Sequence, residues 1–148
     1  MITKKFLLIA LTSLPVLCFG QQTITDSAYN QIINTDCDGK LFTRVETIPA
    51  IKNGTTALAD SIVAYLKTKN TPLANGKVEF RFLVTSQSLL LNIQKEPRII
   101  INEAALREAL EKFSALWIPA RQNGRIVCAY VRCELDFFDD TLTIKLGQ

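Results

Sequence analysis

The chain has 148 residues, 17 basic and 14 acidic side chains, a formal net charge of +3 and no histidine. That length suits one domain with short appendages, and without histidine the usual general base, the Ser/His and Cys/His nucleophile pairs and the commonest metal ligand are missing. No basic patch interleaved with aromatics, zinc-type cysteine spacing, CxxC or glycine-rich phosphate loop occurs, so we expect a non-enzyme with no cofactor, no metal and no nucleic-acid partner.

Residues 1–20 have the form of a secretory signal peptide. Lys4 and Lys5 make a basic start, Phe6 to Leu17 an apolar run, and Cys18-Phe19-Gly20 places small residues at −3 and −1 of a cut before Gln21. The apolar run is short for a membrane span and contains Pro15. The expected location is therefore periplasmic or secreted, with no stable membrane span after cleavage. Cleavage leaves 128 residues, 15 basic and 14 acidic, with a net charge near +1. Protein exported in a native-like host should have the intact mass of a chain beginning at Gln21, and a mass retaining residues 1–20 would restore an anchored form. A mature chain of this size buries a core without metal or a dense disulfide net.

Three cysteines remain after that cut: Cys37, Cys128 and Cys133. Cys128 and Cys133 lie five apart on one predicted strand, so they face opposite sides about 16 Å apart and cannot bridge each other. Cys37 is expected to bridge one of them in an oxidising compartment, or all three remain small hydrophobes. Cys128 is the better partner, because Cys133 points into the predicted core.

Gln21 to Lys40 is polar and reads as a partly ordered arm ending in a turn at Asp36-Cys37-Asp38-Gly39. Leu41 to Pro49 is a short extended segment with Phe42 as its anchor, and a loop follows to Gly54. A helix is predicted over Thr56 to Lys69, with Thr55 or Thr56 as N-cap and Leu58, Ile62, Tyr65 and Leu66 as its buried stripe. Lys77 to Thr85 is a strand with Val78, Phe80, Phe82 and Val84 on one face, and Leu89 to Lys95 completes a hairpin. Asn102 caps a second helix, Glu103 to Trp117, whose stripe is Leu106, Leu110, Phe113 and Trp117. Pro119 stops that helix, and Gln122-Asn123-Gly124 supplies a turn.

From Arg125 the period switches to two. Val127, Ala129, Val131, Cys133, Leu135 and Phe137 form the inward face of one long strand, and Ile126, Cys128, Tyr130, Arg132, Glu134 and Asp136 the outward face. Asp139-Asp140 is a turn, and Thr141 to Leu146 alternates as a short last strand expected to fold back on the long one. The expected class is α+β: two helices packed on one face of a small antiparallel sheet, in the order α-β-β-α-β with a short C-terminal strand. The division is a signal peptide (1–20), a polar arm (21–40) and one domain (41–148).

The ordered series VETIPAIKNG, first helix, GKVEFRFLV, NEAALREALEKFSALW and WIPARQNGRIV resembles the C-terminal domain of TonB-type energy transducers from about Leu41 onward. The resemblance implies a periplasmic binding module that captures an extended peptide of a TonB-dependent outer-membrane receptor, or another envelope protein, by strand addition. It also implies that the receiving edge is the strand after the Trp-x-Pro helix, here about Arg125 to Leu135. The candidate contacts are then Arg125, Ile126, Cys128, Tyr130, Arg132 and Glu134. The chain lacks the family's Pro-rich spacer, so the resemblance implies binding, with a link to TonB-dependent transport, more directly than force transmission. The alternative is a structural or accessory subunit that forms a homodimer through its sheet edge.

Overall fold

A computed structural model describes residues 25–95 and 102–148. The proposed signal peptide lies outside the described residues. In chain order the elements are α1 (Asp26–Asp36), β1 (Ala50–Ile51), α2 (Gly54–Thr68), β2 (Gly76–Val84), β3 (Leu90–Lys95) and α3 (Glu103–Lys112). A 3₁₀ turn (Ser114–Leu116) is followed by β4 (Trp117–Ile118), β5 (Ala120–Gln122), β6 (Arg125–Val127), β7 (Ala129–Phe138) and β8 (Thr141–Gly147). The chain is α+β, built on an antiparallel sheet of order β3-β2-β7-β8.

The alternating patterns explain the sheet. β7 pairs with β2 from Val84↔Ala129 to Gly76↔Phe137, and with β8 from Phe138↔Thr141 to Arg132↔Gly147. This register puts Val78, Phe80, Phe82, Val131, Cys133, Leu135, Leu142 and Ile144 in one core with Leu58, Ile62 and Leu66 of α2 and Leu106 and Leu110 of α3. The β2–β3 hairpin turns without the usual Asn-Gly or Asp-Gly. Buried Thr85 closes it instead: its N–H donates to Leu89 O (2.9 Å), and its Oγ1 accepts from the N–H groups of Gln87 and Leu89. Asn92, at φ 52°, accompanies a register shift between Arg81 and Leu83, which bends the edge strand.

Four expectations need correction. The predicted arm contains an 11-residue helix, α1, whose cap Thr25 accepts from Ala28 N. Its half-buried Tyr29, Ile32 and Ile33 rest on Leu83, Leu91, Cys128 and Tyr130, on the sheet face opposite α2 and α3. Residues 25–40 are thus packed into the domain rather than trailing from it. Helix α2 starts at Gly54, and left-handed Asn53, not a threonine hydroxyl, precedes it.

Helix α3 ends at Lys112, five residues before Trp117. The chain tightens into the 3₁₀ turn and then extends, because Trp117 and Ile118 pair with Ile51 and Ala50 and Pro119 disfavours helix before it. The long strand is interrupted at Cys128. Upstream, β6 pairs with β5 as a separate hairpin whose Asn123 (φ 49°) and Gly124 (φ 72°) take the two positive φ values that a tight two-residue turn requires.

Candidate partner-binding edge and disulfide cleft

The residues singled out for strand addition do not lie along one free edge. Arg125 and Ile126 belong to the β5–β6 hairpin, opposite Gln122 and Arg121. Cys128 is buried in a disulfide. Tyr130 is half-buried beneath α1, with the Arg81 guanidinium 4.8 Å from its ring centre, and its N–H donates to Phe42 O at 2.9 Å. Arg132 and Glu134 stand between Arg81 and Glu79 of β2 on one side and Gly147 and Lys145 of β8 on the other.

The strand is therefore interior. The physical reason is the turn at Asp139 and Asp140, both left-handed at φ 45° and 59°. This tight reversal delivers β8 to the edge of β7 at an effective concentration an external peptide does not reach. Phe42 occupies the short remainder of that edge, bridging to Ala129 in parallel.

Two outer edges of the sheet remain, and they differ. On β3, Arg107 of α3 donates to the Ile93 carbonyl, while Glu103 of the same helix pairs with Lys95 at 3.4 Å and with Arg107 at 2.9 Å. Glu103 is held below the usual carboxylate range by its hydrogen bond from Arg107, then by Lys95. Helix α3 thus ties down one edge. On β8, no strand or isolated bridge pairs on the side away from β7 among the described residues. Leu142 and Ile144 point into the core, while Thr141, Thr143 and Lys145 are exposed. The solvent face of β2, β7 and β8 carries Lys77 between Glu134 and Asp136, Lys145 by Glu134, and Arg132 on Glu79. Such exposed pairs contribute about 0–1 kcal/mol each and serve mainly to keep the face wet.

Cys37 and Cys128 are joined, with Cα atoms 5.4 Å apart, inside the range a disulfide spans without backbone movement. Cys133 is free and fully buried in the core, and burial pushes its thiol up to about 12, so it stays protonated and inert. Beside the bridge lies a cleft of about 520 Å³ between the end of α1, Phe42 and the β5–β6 hairpin. Sequence reasoning missed this place, because its walls come from three distant segments. The partial signal was the expected Cys37–Cys128 bridge, since both cysteines line the cleft.

Among the described residues, no three metal-ligating side chains converge and no helix is long and apolar enough to cross a membrane. Comparison with family models, with curated proteins and with solved structures returns no match for this chain.

Proposed function

We propose that this chain is an exported, non-catalytic binding module that takes an extended peptide of an envelope protein by strand addition, as the TonB C-terminal domain does. The supporting observation is the outer edge of β8, which no strand or isolated bridge of the described residues pairs, and along which the exposed Thr141, Thr143 and Lys145 alternate with the buried Leu142 and Ile144. This moves the receiving strand from β7, where the sequence resemblance puts it, to β8. The partner class is a segment of a TonB-dependent receptor or of another envelope protein, and an export signal puts the two in one compartment.

Affinity capture from periplasm and outer membrane with the tagged mature protein tests the reading. A peptide from the captured protein should then shift backbone amide resonances chiefly within Thr141–Gly147. Shifts centred on the helices would rule out strand addition. A concentration-independent oligomer in light scattering, with no captured partner, would assign the same edge to a second copy of the chain.

A further inference from the structure

We infer that the Cys37–Cys128 disulfide is a reducible latch on helix α1, opened by a dithiol protein that attacks Cys37 from the adjoining cleft. This inference is independent of the strand-addition reading. Three observations carry it. The cleft reaches both cysteines, and Cys37 keeps 7% of its surface exposed where Cys128 keeps 1%. Cys37, the less buried residue of the two, is assigned as the attacked sulfur, with Cys128 as the leaving thiolate. The Ser86 N–H donates to Cys128 Sγ at 3.2 Å, and a donor at that sulfur favours the charged form the departing group takes, while the Asp36 carbonyl oxygen 3.6 Å from the same sulfur opposes it in part. Lys40 and Arg125 on the cleft wall attract an incoming thiolate, and Asp36 and Asp38 on the same wall oppose it in part.

The exchange balances. The attacking thiolate forms a bond to Cys37 Sγ as the Cys37–Cys128 bond breaks, and Cys128 leaves as a thiolate that takes a proton from water. The second thiolate of the dithiol then attacks its own partner sulfur and releases Cys37. Two electrons pass to the bridge and the dithiol becomes a disulfide.

The consequence for α1 follows from how little else holds it. The helix has 11 residues, none of them buried, which is below the length at which isolated helices persist in water. Apart from the bridge its ties among the described residues are Tyr29, Ile32 and Ile33, a side-chain hydrogen bond between Tyr29 and Tyr130, a hydrogen bond from Ser86 Oγ to Asp36 O at 2.5 Å, and the turn at Cys37–Lys40. The main core, on the other sheet face, uses no residue of α1. Reduction should release α1 and uncover Leu83, Leu91 and Tyr130 while the rest stays folded.

The probe is a thioredoxin-class dithiol protein with its resolving cysteine replaced by serine, mixed with the oxidised mature chain. Peptide mass mapping should find the trapped mixed disulfide on Cys37, in large excess over Cys128. With the intact dithiol protein, amides of residues 26–36 should lose hydrogen-exchange protection while those of β2 and β7 keep theirs. Adducts chiefly on Cys128 would overturn the inference. So would reduction no faster than global unfolding, or full protection of α1 after reduction.

Discussion

Replacing Trp117 by alanine should lower stability by about 3–5 kcal/mol, the range for removing a large buried aromatic. The indole is fully buried and meets Phe82 edge-on, with ring centres 5.1 Å apart. It also fixes the crossing where β4 pairs with β1, so its loss loosens the joint between α3 and the sheet. The Trp117 Nε1–H is buried with no partner among the described residues, and an orphaned donor costs about 1–3 kcal/mol. Trp117→Phe removes that donor and keeps most of the packing, so it should cost clearly less than the alanine change. Arg132→Ala, which removes the solvent-facing pair with Glu79, should cost under about 1 kcal/mol. Urea denaturation of the three variants checks the order, and equal losses for Trp117→Ala and Arg132→Ala would contradict the burial argument.

Deleting Asp140 to Gln148 should have the second large effect, on association as well as stability. The deletion strips β8 from the sheet and exposes the backbone of β7 from Arg132 to Phe138. It also removes Leu142 and Ile144 from the core, at about 1.5–3 kcal/mol for each buried side chain. A bare central strand of that length is a template for pairing with another chain. The truncated protein should self-associate or bind extended peptides better than the full chain, read by light scattering. Circular dichroism at the same concentration separates sheet pairing from unfolding. A truncated protein that stays monomeric and binds partners no better would show that β8 guards nothing.

The parts of the fold legible in the sequence are those whose burial repeats locally. The alternation in Lys77 to Val84 and in Ala129 to Phe137 marks β2 and β7 with their inward faces, and Leu58, Ile62 and Leu66 mark the stripe of α2. What escaped depends on distant partners. Helix α1 shows only Tyr29, Ile32 and Ile33 as an apolar stripe, and its docking depends on a strand about 90 residues away. Trp117 continues the helical spacing of α3, so only its pairing with Ile51 reveals that the helix has already ended. The second neighbour of β7 was legible, because the Asp139-Asp140 turn and the alternation of Thr141 to Leu146 mark a strand that folds back on it.

The span of the bridge also has a temporal side. Cys37 and Cys128 are separated by 91 positions, and β2 and β7 are likewise joined over a long stretch of chain. Contacts so far apart make folding slow, because the intervening chain must be closed before they stabilise anything. Cys37 is made early and waits for a partner that arrives together with a rival, Cys133. A bond from Cys37 to Cys133 would pull a core-facing residue toward the α1 side and prevent β7 from seating on β2. Such a species cannot complete the sheet, so its disulfide stays exposed to exchange. Correct pairing is thereby selected by the sheet itself, and refolding from the reduced, denatured state should form the Cys37–Cys128 bond only as β7 becomes protected.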